Sequence, residues 1–427
     1  MIALLVFALL LLLILINVPI AVAICAAALT GMLWDKGVPG LYNAALTLFD
    51  GATSFPLIAI PLFILAGALM NTGGISRRLI AFTSALIGFV RGGLAMVNVG
   101  VSIFFAEISG SAVADVAAIG SVLIPAMKRK GYRPGFAAAV TSSSASLAII
   151  IPPSIPMILY GALADTSVVQ LFVAGILPGL LGGFAMLCLC WWFAVKYDMP
   201  RDERFSLGHL WRAFRSAGPA LLLPVIILGG IFGGIVTATE GAGLAVVAAL
   251  VIGGLIYREL DLREFYRALL EGVMQTAVVM LLVATSAVLG LHLTEIEVPQ
   301  RLARGIAELT TNKYAVLMML NVLLLLLGMV LHGAAAIILV VPIVLPLVHL
   351  IGLDPVHFGI ILTLNLAIGQ QTPPVASVLV TACSIARTDI WETTKINLPY
   401  IGVLLALLLA VTYLPFIPMT LVETFYR

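Results

Sequence analysis

Clusters of small, hydroxylated and amide residues interrupt an otherwise apolar chain. The first reads Phe104-Phe105-Ala106-Glu107-Ile108-Ser109-Gly110-Ser111-Ala112-Val113-Ala114-Asp115. Ser109, Gly110 and Ser111 permit a tight turn and offer oxygen ligands. Small residues also serve close helix packing. Glu107 and Asp115 tip the balance, because carboxylates in an apolar setting are costly and usually functional. The next cluster is Thr141-Ser142-Ser143-Ser144-Ala145-Ser146, followed by Ile151-Pro152-Pro153-Ser154. Proline lacks an N–H and blocks the carbonyl four residues back, so two in succession leave the carbonyls of residues 148–151 unpaired. Such carbonyls suit an alkali cation; a single Pro-Pro would equally be a plain kink. The arrangement recurs in Asn365-Leu366-Ala367-Ile368-Gly369-Gln370-Gln371-Thr372-Pro373-Pro374, with a facing turn Val330-Leu331-His332-Gly333-Ala334-Ala335. A lone His in such a turn is more often a hydrogen-bonded structural residue than a proton carrier.

The elements that must position these residues are membrane helices. Of 427 residues, 62% are hydrophobic and 10% charged, against about 25% charged in soluble proteins. Apolar runs long enough to cross a hydrocarbon core of about 30 Å recur from end to end. The longest polar stretch, Lys196–Ser216, is itself amphipathic, and no soluble domain is expected. Cys25, Cys188, Cys190 and Cys383 sit in apolar segments without zinc-finger spacing and read as small hydrophobes. The first run, Ile2–Leu33, has neither a basic leader nor a cleavage site, so it reads as structure. No lysine precedes Ser or Thr, which excludes a Walker A loop. HExxH and GxSxG are also absent. An intramembrane enzyme built on Ser111 and His332 would lack any known motif. Ion gradients remain as the energy source, and no nucleic-acid partner is expected.

An internal repeat organises the chain. Pro125, Gly131, Pro134, Pro152-Pro153 and Pro178 recur at Pro346, Gly352, Pro355, Pro373-Pro374 and Pro399, each 221 residues on. Gly51 and Gly272 extend the register upstream, and His332 falls opposite Ser111. Residues 1–215 form a first repeat: scaffold helices 2–71, arm 75–90, hairpin 92–127, broken helix 134–160, helix 168–195 and cytoplasmic loop 196–215. Residues 216–427 form a second: scaffold helices 219–292, arm 296–311, hairpin 313–348, broken helix 355–381 and helix 396–418. If the hairpins enter and leave on one side, each half makes five full crossings, so the halves are inverted.

The positive-inside bias orients them. With the Lys128-Arg129-Lys130 loop inside, Arg77, Arg78, Arg91, Arg133, the Lys196–Arg215 and Arg258–Arg267 loops, Arg387 and Lys395 are also inside, 17 of the 22 basic residues. Both termini are then periplasmic if the chain turns at Asn17-Val18-Pro19. A single tilted helix there would move the N-terminus inside. His292, Glu295 and Glu297 are expected on a solvated periplasmic face. Arg301 and Arg304 are expected at the interface. Phe205–Phe214 and Leu262–Leu270 are read as cytoplasmic interfacial helices, and Trp191, Trp192, Trp211 and Trp391 as an aromatic belt. The fold class is thus all-α and polytopic: two inverted-topology repeats with re-entrant hairpins and broken helices, as in secondary transporters.

Specific residues resemble the large, DctM-type membrane subunit of the tripartite ATP-independent periplasmic (TRAP) transporters over essentially the whole chain. They are Ser109-Gly110-Ser111-Ala112-Val113-Ala114-Asp115 with Ala118-Ile119-Gly120 and Ile124-Pro125-Ala126-Met127, then Ile151-Pro152-Pro153-Ser154-Ile155-Pro156-Met157 with Tyr160-Gly161. Thr239-Glu240, and Gly369 with Thr372-Pro373-Pro374-Val375, complete the set. Thr237-Ala238-Thr239-Glu240-Gly241 and Ala376 depart from the usual pattern, as do the bulky Gln370 and Gln371. The resemblance implies a divalent-anion/sodium symporter-like architecture with an elevator motion. It also implies sodium-driven uptake of an organic acid, such as a C4-dicarboxylate, sialic acid or a 2-oxo acid. The implied partners are a small four-helix membrane subunit and a periplasmic substrate-binding protein, in a bacterial inner membrane. A self-sufficient ion-coupled symporter or antiporter of the same architecture is the alternative. One sodium site is carried to Ser109, Gly110 and Ser111 with Ser146, Ile151 and Pro152. The other is carried to Leu331, His332 and Gly333 with Gly369, Thr372 and Pro373. The substrate is placed at Ser111, Asp115, Ser154, Asn365, Gln371 and Thr372.

Overall fold

The computed structural model describes residues 2–16, 18–109, 111–200, 205–310, 312–331 and 333–426. Among them the chain is helical, without strands. The first half contains α1 (Ile2–Leu15), α2 (Ile20–Lys36), α3 (Tyr42–Thr53), α4 (Ala59–Thr72), α5 (Ile75–Ile87), α6 (Gly93–Ser109), α7 (Ala112–Arg129), α8 (Pro134–Ala148), α9 (Ile155–Leu163) and α10 (Val168–Lys196). The second contains α11 (Leu207–Phe232), α12 (Ala238–Leu250), α13 (Leu262–Glu295), α14 (Val298–Leu309), α15 (Lys313–Val330), α16 (Gly333–Leu350), α17 (Pro355–Gly369), α18 (Ser377–Ala386), α19 (Ile390–Tyr413) and α20 (Phe416–Tyr426). Eight helical stretches among the described residues are long and apolar enough to cross a membrane. The chain is therefore a multi-pass membrane protein.

Helix boundaries keep the 221-residue register. α7 and α16 begin and end that far apart, as do α8 and α17. The shared starts have a local cause. Pro134 and Pro355 each open a helix, where a missing N–H does no harm. Asp354 adds a cap, its carboxylate accepting from the N–H groups of Val356 (2.8 Å) and His357 (3.4 Å). α8 from Gly135 to Ala148 and α17 from Val356 to Gly369 are buried at every position. They lie at the centre: α8 against α6, α7, α18 and α19, and α17 against α15, α16 and α19. A second group packs around α13, which runs along α2, α3 and α4, while α12 lies along α4.

Several elements differ from the sequence expectation. α1 and α2 are separate helices that pack against each other, with Pro19 preceding α2, and Asn17 lies outside the described residues. The segment 51–71 is not one helix: it breaks at Ser54-Phe55-Pro56 between α3 and α4. Its counterpart α13 runs unbroken for 34 residues, because Ala277 stands where Pro56 would recur. The stretches Phe205–Phe214 and Leu262–Leu270 are not separate interfacial helices. They belong largely to the opening turns of α11 and α13, so the loop that ends at 215 in the sequence reading ends at Ser206. α11 runs on through Pro219 and Pro224, and a distant hydroxyl bonds the backbone beside the first. Tyr257 Oη accepts from Ala220 N–H at 3.2 Å and donates to the Ser216 carbonyl at 2.9 Å, bridging the ladder beside the proline. His292 does not face solvent. It is fully buried against Gly31 of α2, where a Cβ would lie 2.6 Å from Nε2, and among the described residues neither ring nitrogen has a hydrogen-bond partner. Glu295 does lie at that end and pairs with Lys36 at 3.0 Å. Trp191, Trp192, Trp211 and Trp391 are all exposed.

Candidate functional site

Two helix breaks and two hairpin ends converge. In the first break the chain tightens beyond α8: Ile149, Ile150 and Ile151 donate to the carbonyls three residues back, Ser146, Leu147 and Ala148. Pro152 and Pro153 then end the ladder, and the Pro152-Pro153 peptide is cis. Among the described residues, no backbone N–H reaches the carbonyls of Ile149, Ile150 or Ile151. In the second break Gln371 and Thr372 donate to Ile368 and Gly369, Pro373-Pro374 is also cis, and among the described residues no backbone N–H reaches the carbonyls of Gln371 or Thr372. Buried carbonyls without donors are oxygen-ligand positions. The breaks are held by close helix crossings. Gly175 of α10 leaves room for the Ile150 carbonyl, which a Cβ would meet at 2.2 Å. Gly369 of α17 faces Gly328 of α15, whose carbonyl carbon a Cβ would meet at 2.4 Å.

One cavity of about 710 Å³ joins these parts. Ser111 and Ala112–Ala114 from the α6–α7 hairpin and Gly333 and Ala334 from the α15–α16 hairpin line it, with Ile149, Ile155 and Pro156 of the first break and Gln370 of the second. The opposite wall comes from α4 and α13, including Asn71, Glu271 and Gln275. Gln275 Nε2 donates to the Glu271 carboxylate at 3.3 Å.

Around the breaks, four buried polar atoms have no partner among the described residues: Ser146 Oγ, Ser154 Oγ, Asn365 Oδ1 and Gln371 Nε2. Buried polar groups are nearly always bonded, so these four atoms stand out, although none of the four residues lines the cavity. Each hairpin is also tied to its own broken helix. In the first half Asn98 Nδ2 donates to Thr141 Oγ1 (2.6 Å), and Ser102 Oγ to Ser144 Oγ (2.9 Å). In the second, Asn365 Nδ2 donates to Asn321 Oδ1 (2.8 Å), and Asn321 Nδ2 to Thr412 Oγ1 (3.1 Å). Ser144 and Asn365 hold the same repeat position.

The family described as the tripartite ATP-independent periplasmic transporter, DctM component, matches residues 7–417. The chain belongs to this family. An isethionate TRAP transporter permease protein DctMQ of Oleidesulfovibrio alaskensis is 43% identical over 394 residues, 92% of this chain. The chain spans 62% of that relative's length. A C4-dicarboxylate TRAP transporter large permease protein of Pseudomonas aeruginosa is 38% identical over 396 residues, covering 93% of this chain and 92% of that one. Both relatives are named as permeases. Among solved structures, the YdaH transporter of Alcanivorax borkumensis superposes with a TM-score of 0.65 at 16% identity. That alignment covers 92% of this chain and 90% of the other, a likeness of fold alone.

In this DctM-family chain the residues singled out by sequence fall into three settings. Ser111 and Gly333 line the cavity. Ser146, Ile151, Pro152 and Ser154 surround the first break, and Gly369, Thr372 and Pro373 the second; Thr372 Oγ1 donates to the Ile368 carbonyl at 2.8 Å. Leu331 follows α15 and is buried. Asp115 is buried in the first turn of α7, its N–H donating to the Ser111 carbonyl at 2.9 Å. Asn365 and Gln371 are fully buried and turned to neighbouring helices, whereas Gln370 lines the cavity. Gly110 and His332 lie outside the described residues, as does the side chain of Ser109. The sequence reading passed over Asn98, Asn321 and Asn397, although lone amides in apolar runs were a visible signal. It also passed over Glu271, the carboxylate beside the Gly272 that extends the repeat register.

Where α4 ends, Arg77 and Arg78 both pair with Glu259, Arg78 Nη2 at 2.8 Å, and the Arg78 guanidinium lies 3.8 Å above the Tyr257 ring. The Arg78 hydrogen bond, aided by the charge of both arginines, holds the Glu259 carboxyl below the usual range. This latch fastens α5 to the segment between α12 and α13.

Proposed function

We propose that the chain is the translocating permease of a sodium-driven importer of an organic acid. The observation that carries this reading is the convergence, in a DctM-family chain, of two hairpin ends and two proline breaks on one cavity. Donor-free carbonyls at Ile149–Ile151 and Gln371–Thr372 supply oxygen ligands for sodium. The first sodium ion is held by Ser109, Gly110 and Ser111 with Ser146, Ile151 and Pro152. The second is held by Leu331, His332 and Gly333 with Gly369, Thr372 and Pro373. Helices α7, α9 and α16 open towards the cavity, so their N-terminal dipoles favour a carboxylate or sulfonate there. Relatives named for isethionate and C4-dicarboxylate transport handle small organic anions of this kind. A periplasmic binding protein delivers the substrate, and a small four-helix membrane subunit covers apolar surface of the scaffold. The scaffold holds α1–α4 and α11–α13. The hairpins and broken helices move against it as an elevator across the bacterial inner membrane.

The test is uptake into proteoliposomes holding this chain and its small subunit, with the binding protein and labelled organic acids outside. Uptake that needs both an inward sodium gradient and the binding protein is expected. Sodium-driven uptake without the binding protein would establish a self-sufficient symporter instead. Absence of sodium dependence would overturn the reading.

A further inference from the structure

We infer that Ser143, Gln371 and Asn397 couple the two breaks, so that sodium binding at one raises affinity at the other; this rests on the sodium sites proposed above. All three side chains are fully buried and come from different elements: α8, the second break, and α19. Ser143 Oγ lies 2.8 Å from Gln371 Oε1 and 2.6 Å from Asn397 Oδ1. Asn397 Nδ2 donates to Gln371 Oε1 at 3.3 Å, closing the triangle.

The geometry gives this triangle two alternatives. A serine hydroxyl has one proton and so donates to one acceptor at a time. Directed at Gln371, it ties the helix before the first break to the second break. Directed at Asn397, it ties that helix to α19 and leaves the second break joined to it only indirectly, through the 3.3 Å bond from Asn397 Nδ2 to Gln371 Oε1. Gln371 Nε2 has no partner among the described residues, so none of them locks this amide with a competing bond. A two-state contact biased from both ends is what carries coupling between sites.

The link is also not a by-product of duplication. The positions 221 residues away are Leu364, Ile150 and Ile176, none of which can form it. Other side-chain bonds between the halves lie elsewhere: Cys190 Sγ and Tyr400 Oη, 3.4 Å apart, join the bodies of α10 and α19, and others join helix ends. Tyr160 Oη donates to the Pro355 carbonyl at 2.6 Å, and Lys128 Nζ to the Ala386 carbonyl at 2.8 Å. The bonds from Ser144 and Asn365 stay within one half. Movement at one set of break carbonyls therefore reaches the other through Ser143 and Gln371.

The test is the sodium dependence of uptake in the reconstituted complex. Wild-type protein should show a Hill coefficient approaching about 2, the number of coupled sites. Ser143→Ala should bring it towards about 1, with the rate at saturating sodium kept within about twofold. Ser143→Thr, which keeps a hydroxyl, should restore it. If Ser143→Ala fails to fold, Asn397→Leu gives the same reading, because it leaves the hydroxyl a single acceptor. A wild-type Hill coefficient in a folded Ser143→Ala or Asn397→Leu variant would overturn the coupling, as would a wild-type coefficient of about 1. No sodium-driven uptake by the wild-type complex would instead overturn the transport reading beneath it.

Discussion

Gly369→Ala is expected to damage both stability and sodium dependence. A Cβ at 369 would lie 2.4 Å from the Gly328 carbonyl carbon, 2.6 Å from its Cα and 2.9 Å from Met329 N. Unstrained carbon contacts need about 3.5–4.0 Å, so α15 and α17 must part by roughly 1 Å or more. All three obstacles are backbone atoms, and no rotamer change relieves them. Overpacking of this kind costs about 1–3 kcal/mol. Gly369 is the last residue of α17, so the displacement passes directly into Gln370–Thr372 and the second set of donor-free carbonyls. If the sodium-bound form requires the close crossing, the same energy appears as a roughly 5- to 150-fold weaker half-saturating sodium concentration. The assays are thermal unfolding of the purified protein and sodium titration of uptake. Gly402→Ala in α19 is the control, since nothing lies within 4 Å of its added Cβ. Removing a helical glycine there should leave stability unchanged or slightly higher. A Gly369→Ala protein with wild-type unfolding midpoint and wild-type sodium dependence would refute the reasoning.

Three further outcomes are expected. Replacing Pro152-Pro153 or Pro373-Pro374 with Ala-Ala restores backbone donors and lets the ladder recapture the free carbonyls; sodium-dependent uptake should vanish while membrane insertion, read by a fused reporter, stays intact. Tyr257→Phe removes the hydroxyl that bridges Ala220 N–H and the Ser216 carbonyl, which should cost about 1 kcal/mol or more and lower the unfolding midpoint. Glu259→Gln should destabilise the protein at neutral pH. The folded Glu259 carboxyl sits below its unfolded value, so its contribution is present above about pH 4.3 and is lost as pH falls through the folded value. The difference in midpoint between wild type and Glu259→Gln should therefore shrink on acidification, and a gap independent of pH would count against the ion-pair account.

Much of the helix plan was legible because its causes are local. Apolar runs set the spans, Pro134 and Pro355 mark helix starts, and each Pro-Pro pair must break the ladder wherever it occurs. The same chemistry at a fixed spacing of 221 residues disclosed the two halves without any knowledge of packing. Local causes also explain the misreadings. Phe205–Phe214 has the polarity of an interfacial helix, but the helix continues past Pro219, where the backbone is bonded by Tyr257, 37 residues from Ala220.

Pattern and period determined, from sequence alone, that the protein is a membrane-embedded bundle with paired helix breaks and small-residue turns. Tertiary structure alone decided which polar atoms meet. It buried His292 against Gly31 and turned Gln371 from the cavity towards Ser143 and Asn397, and it left Gln370 and Glu271 on the cavity wall. The physical reason is range. A helix start or a proline break is set by neighbours within one turn, whereas a buried amide is satisfied by whichever helix the global packing brings within about 3 Å.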